Sequence, residues 1–205
     1  ILKDRHGFMW FGTEDGLNRY DGYRFTISRH KLGDKNSIAG NSITVLYQDK
    51  AGNLWIGTKE GLSRYNHIND TFTNYYADPI NPNTLTNASI NTICEGENAD
   101  IWIGTYINLN RLNVKTNKIT RYIADGKPGS LSNTRVTSIV KDSLQRLWVG
   151  TNNGLNLFNT KTGKFTTYYH NSLDKNTIGS NYVKVMADAG SGNLLIGFND
   201  AGIDI

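Results

Sequence analysis

Short apolar runs, each closed by Gly, Asn and Asp, succeed one another along the whole chain. One stretch holds four of them: Ile43-Thr44-Val45-Leu46-Tyr47, Leu54-Trp55-Ile56-Gly57-Thr58, Leu62-Ser63-Arg64-Tyr65 and Thr71-Phe72-Thr73-Asn74-Tyr75-Tyr76. β-branched and aromatic residues between turn residues make strands. No window sustains a 3.6-residue apolar stripe, so helix is expected to be near absent. Taken in chain order as a, b, c and d, the four strands and their turns fill one period of a larger repeat.

That repeat is audible in strand b. Trp10-Phe11-Gly12-Thr13, Trp55-Ile56-Gly57-Thr58, Trp102-Ile103-Gly104-Thr105 and Trp148-Val149-Gly150-Thr151 are one phrase, echoed by Leu195-Ile196-Gly197-Phe198. The glycines at 12, 57, 104, 150 and 197 stand 45, 47, 46 and 47 residues apart. Each period is then a supersecondary unit that buries its faces only against its neighbours. Four antiparallel strands with a period of about 46 residues predict an all-β chain, a β-propeller built of four-stranded blades. The blades are placed at about 1–28 (partial), 42–77, 89–124, 135–170 and 182–205 (partial), about four and a half in all. A propeller closes with four to eight blades. The chain therefore reads as a partial propeller, a piece of a longer protein or one that closes with a second copy.

Turn chemistry agrees. The a–b turns open on Asp4, Asp49 and Asp142, and the b–c turns end on Gly16, Gly61 and Gly154, where a left-handed residue is expected. Asn108 takes that place in the third copy, and Asn tolerates the conformation best after Gly. Gln145 replaces the a–b turn Gly in the fourth copy, while Gly96 stands at the Asp position and Ala99 at the Gly position of the third.

Composition changes little. Eleven Tyr, 21 Gly and 3 Pro suit an all-β protein, and a net charge of +4 spread over scattered Lys and Arg leaves no nucleic-acid footprint. Cys94, the single cysteine, reads as a buried structural thiol. No metal-ligand spacing, cofactor motif or membrane-spanning apolar run is evident.

The unit from Asp49 to Asn66, matched by Asp4–Asp21, closely resembles the two-component regulator propeller repeat. The d–a segments Asn36-Ser37-Ile38, Asn83-Thr84-Leu85 and Asn176-Thr177-Ile178 resemble those in hybrid two-component sensors of gut Bacteroidetes. The resemblance implies a periplasmic receptor segment, followed in a parent chain by further blades, a β-sandwich, a membrane helix and a histidine kinase. It also implies a homodimeric parent and glycan-derived oligosaccharides as ligands. Streptogramin lyases share a Gly-rich Trp propeller, so a lyase or glycan-cleaving enzyme is one alternative and a protein-docking scaffold another.

Repeated residues read as structural. Trp10, Trp55, Trp102 and Trp148 are expected between adjacent blades, with Gly12, Gly57, Gly104 and Gly150 as structural repeat positions. Arg19, Arg64 and Arg111 are expected to pair with the turn Asp or a neighbouring carbonyl. Residues that differ between copies are the better candidates for one asymmetric ligand. The b–c turns and d–a connections share a face in a propeller, and there Lys59, Tyr106, Asn152, Arg135, Tyr182 and Lys184 are unlike their counterparts. Tyr106 and Tyr182 suit stacking on a sugar ring, Lys59, Arg135 and Lys184 suit carboxylate or sulfate, and Asn152 suits hydroxyls. His6, His30, His67 and His170 stand beside no nucleophile, so no catalytic residue is assigned.

Overall fold

The computed structural model describes all 205 residues, which form nineteen strands and one 3-10 turn at Glu97–Ala99. The first sheet holds β1 (Leu2–Lys3), β2 (Met9–Thr13), β3 (Gly16–Tyr20) and β4 (Phe25–Ser28). The second holds β5 (Ile43–Gln48), β6 (Leu54–Thr58), β7 (Leu62–Asn66) and β8 (Thr71–Tyr75). Next come β9 (Ile90–Glu95), β10 (Ile101–Thr105), β11 (Leu109–Asn113) and β12 (Lys118–Tyr122). The fourth sheet comprises β13 (Val136–Lys141), β14 (Leu147–Thr151), β15 (Gly154–Asn159) and β16 (Lys164–Tyr168). A fifth, three-stranded sheet contains β17 (Val183–Gly190), β18 (Asn193–Phe198) and β19 (Ile203–Asp204). Strands lie in chain order within each sheet, antiparallel to their neighbours, as in the blades of a β-propeller.

Hydrophobic burial runs between blades rather than within one. Trp10 and Leu17 of the first blade share a cluster with Leu54, Ile56, Tyr65 and Phe72 of the second. Trp55 and Leu62 join Ile90, Ile101 and Ile103 of the third, and Trp102 joins Val149, Phe158 and Phe165 of the fourth. Trp148 packs against the fifth-blade cluster around Met186 and Ile196. Each fully buried Ile or Leu in these seams contributes about 1.5–3 kcal/mol. Cys94 is buried here, and burial pushes its thiol up to about 11, so it stays protonated and inert.

Strand-b glycines make the seams possible. A Cβ on Gly104 would stand 2.5 Å from both Thr92 Cγ2 and Val136 Cγ1, and one on Gly57 2.7 Å from Ile90 Cγ2. Gly12, Gly57, Gly104 and Gly150 thus each seat the β-branched residue that begins strand a of the next blade: Ile43, Ile90, Val136 and Val183. The innermost strands β5, β9, β13 and β17 adjoin in succession.

One b–c turn departs from a uniform left-handed rule. Gly16, Gly154 and Asn108 have φ of +117°, +111° and +71°. Gly61 lies outside that region. Its smallness is required instead by closeness, since a Cβ there would meet the Tyr75 carbonyl at 2.9 Å.

Candidate functional site

Two ends of the blades carry different chemistry. At the a–b end all four tryptophans are covered on the ring face, and three of them are also held at the indole edge. The indole N–H of Trp10 donates to Asp4 Oδ2 at 2.7 Å, that of Trp55 to Asp49 Oδ2 at 2.8 Å, and that of Trp148 to Asp142 Oδ2 at 2.9 Å. The other carboxylate oxygen closes the turn: Asp4 Oδ1 accepts from the His6 and Phe8 amides, and Asp142 Oδ1 from those of Leu144 and Arg146. Sequence reasoning assigned these Asp residues to the turns and missed the indole. The signal was available, since each stands six residues before its Trp.

The arginines correct an expectation. The strand-c arginines lie over the ring face, where the register places them opposite the indoles: Trp10 faces Arg19, Trp55 faces Arg64 and Trp102 faces Arg111. Their guanidinium carbons stand 5.7, 5.8 and 5.7 Å from the ring centroids. Arg19 reaches across the seam to Asp70 of the c–d turn at 2.9 Å and to the Tyr65 hydroxyl, Arg64 forms no ion pair, and of the three only Arg111 binds a carboxylate of its own a–b turn, Asp100. Tyr65 also donates to Asp70, and burial together with that bond raises the phenol pKa. In the fourth copy Leu157 faces Trp148, and Arg146 from the a–b turn covers the indole at 5.3 Å instead.

The b–c turns and d–a connections meet at the opposite end. The amides of Lys59, Tyr106, Asn152 and Asn199 donate to the carbonyls of Ser42, Ser89, Arg135 and Tyr182, each just before or at the approach to strand a. Among the candidates, Arg135, Tyr106 and Asn152 come together. The Arg135 guanidinium lies 4.6 Å above the Tyr106 ring of the preceding blade, and the Asn152 amide donates to the Arg135 carbonyl at 3.2 Å. Asn152 Oδ1 is buried and has no hydrogen-bond partner. Such an atom costs about 1–3 kcal/mol of desolvation.

Tyr182 is half-buried on the fifth blade, linked to the group only through the blade-to-blade backbone, and Lys184 is exposed at the β17 bulge. Lys59 is exposed on the second blade with no ion pair, apart from the other candidates. His30 and His170 donate from Nδ1 to the Ile38 and Ile178 carbonyls at 2.8 Å, a repeated loop clasp. His6 and His67 place their rings 5.4 Å apart at the a–b end. No three His, Cys, Asp or Glu side chains converge on a metal position, and no helix is long and apolar enough to cross a membrane.

Residues 37–60 and 130–153, each running from the d–a connection through the Trp-Gly strand, match the family described as two component regulator propeller. Both segments are two-component regulator propeller repeats. The chain is similar over a short stretch to part of histidine kinase P4 of Formosa agariphila, 46% identical over 39 residues, which is 19% of this chain and 3% of that protein. Among solved structures, the extracellular domain of one hybrid two-component system of B. thetaiotaomicron superposes with a TM-score of 0.78 at 23% identity, over 96% of this chain and 25% of that one. A second such domain from the same organism gives a TM-score of 0.62 at 27% identity, over 99% of this chain and 32% of that one. This chain thus spans a quarter to a third of the length of those domains.

Proposed function

We propose that the chain is a ligand-sensing propeller segment of the extracytoplasmic, periplasmic part of a hybrid two-component sensor. On this reading the Tyr106–Arg135–Asn152 face recognises a glycan-derived oligosaccharide, and Tyr182, Lys184 and Lys59 extend the contact. The observation that carries it is the buried, unpartnered Asn152 Oδ1 beside a guanidinium stacked on Tyr106. A sugar offers hydroxyl donors to that oxygen, a flat apolar face to the tyrosine and, where it bears carboxylate or sulfate, an anion to Arg135. The likeness to sensor domains supports the setting, in which further blades, a β-sandwich and a second protomer complete the receptor. Rigid blades signal by arrangement, so the ligand must favour one arrangement of propellers over another.

Calorimetric titration of the protein with a panel of neutral and acidic oligosaccharides tests this. One class should bind, and Asn152→Ala and Arg135→Ala with Tyr182→Ala should each weaken it about tenfold, a loss of roughly 1.4 kcal/mol. Unchanged affinity in both variants would remove the site. New reducing ends or unsaturated products in the same mixtures would replace sensing by cleavage.

A further inference from the structure

The third tryptophan lacks what the other three possess. Gly96 occupies the Asp position, and a Cβ there would lie 2.6 Å from Trp102 Nε1, so no side chain of the turn fits against the indole edge. Asp100, at the far end of the same turn and only 1% exposed, directs its carboxylate elsewhere: Oδ2 to Arg111 Nε at 2.6 Å and Oδ1 to Asn113 Nδ2 at 2.9 Å. Trp102 is 3% exposed, yet its N–H donates to no protein acceptor. The N–H is not sealed from solvent and opens onto the recess beside it, where a bound group can supply the acceptor.

The indole borders a recess of about 80 Å³ in the seam between the third and fourth blades, lined among others by Gly96, Lys141, Gln145, Leu147 and Phe158. A cavity of that size holds several waters or a molecule of a few heavy atoms. Its charges do not all cancel internally. Arg111 is paired with Asp100, while exposed Glu97 and half-buried Lys141 both line the recess and neither enters an ion pair. Leu147 and Phe158 are buried and supply an apolar wall.

We propose that this recess binds a small monocarboxylate of two or three carbons. One oxygen accepts the Trp102 N–H, taking the place of the turn carboxylate found on Trp10, Trp55 and Trp148. The other faces Lys141, and the short alkyl tail lies on Leu147 and Phe158. The recess opens among a–b and c–d turns, at the other end of the blades from Tyr106 and Arg135, so it stands or falls independently of the oligosaccharide reading.

The test uses the whole chain, ¹⁵N-labelled, with the four indole N–H resonances assigned through their backbone connections. Sodium acetate is titrated at neutral pH against sodium chloride at matched ionic strength. The Trp102 resonance should move downfield and saturate with acetate alone, with a dissociation constant of about 1 mM, a strength so few atoms can reach. The other three indoles should stay put. Lys141→Met should weaken the response about tenfold, and Gly96→Ala, whose methyl presses on Nε1, should abolish it. A Trp102 resonance that is still, that follows chloride equally, or that responds undiminished in both variants would overturn the proposal.

Discussion

The third and fourth blades have each lost one member of the same three-residue clamp, and they repair the loss differently. The fourth keeps Asp142 at the indole edge but has Leu157 where strand c should supply the cation, and Arg146 swings from the turn to cover Trp148. The third keeps Arg111 over Trp102 but has Gly96 where the acceptor should be, and Asp100 restores a carboxylate to the guanidinium, not to the indole. The face of every indole is thus covered, while one edge is left open. A cation can reach a broad ring from several backbone positions. An acceptor must meet a single N–H in line, so its loss is harder to make good.

Removing the fourth-blade carboxylate should be the most damaging change. Asp142 has a fully buried side chain that accepts from the Trp148 indole, the Leu144 and Arg146 amides, and the Arg146 guanidinium at 2.6 Å. Asp142→Ala strands all of these donors, and urea unfolding should show a loss of about 3 kcal/mol. In the third blade Asp100→Ala releases Arg111 and Asn113 but touches no indole, so about 2 kcal/mol is expected. Equal losses would mean that the indole bond contributes nothing and that the two clamps do not differ as argued.

How much of this contrast could be read from the residues alone differs by level. The Trp-Gly phrase, its period and the Asp and Gly turns carried the fold, because each of these signals is local. Gly96 for Asp and Gln145 for Gly were visible as departures. What they did to Trp102 was not, because the indole edge depends on where Asp100 turns. The seating of Val136 on Gly104 joins residues on different blades, and no spacing rule reports such a contact. The same holds for the candidate face. That b–c turns and d–a connections share an end follows from topology, whereas the stacking of Arg135 on Tyr106 and the isolation of Lys59 depend on side-chain directions.

A smaller change probes the backbone of the same two turns. Gln145 sits at φ +63° where Gly52 has +94° and Gly7 +91°. A residue bearing a Cβ is strained there by about 1 kcal/mol, so Gln145→Gly should raise the unfolding free energy, read from urea titration, by that order. In the third blade Ala99 holds φ +62°, and Ala99→Gly should give a similar gain. A gain in one turn alone would show that the strain is not shared.

Acid should separate the blades most gently. Burial pushes the Asp142 carboxyl up, but the Trp148 indole, the Arg146 amide and the Arg146 guanidinium together outweigh it, leaving the group below the usual carboxylate value. A carboxyl depressed in the folded state stabilises the fold above its unfolded pKa of about 4 and loses that contribution as pH falls through the folded value. Urea midpoints measured from pH 6 downward should therefore fall more steeply for the unaltered protein than for Asp142→Asn, which has nothing to titrate at this position. Asp15, Asp21, Asp70 and Asp125 are also depressed and titrate in both proteins, so the difference between the curves belongs to Asp142. The third blade adds no such step at the indole, since Gly96 carries no carboxyl. Parallel curves would show that the fourth-blade clamp holds Asp142 no more tightly than the unfolded chain does.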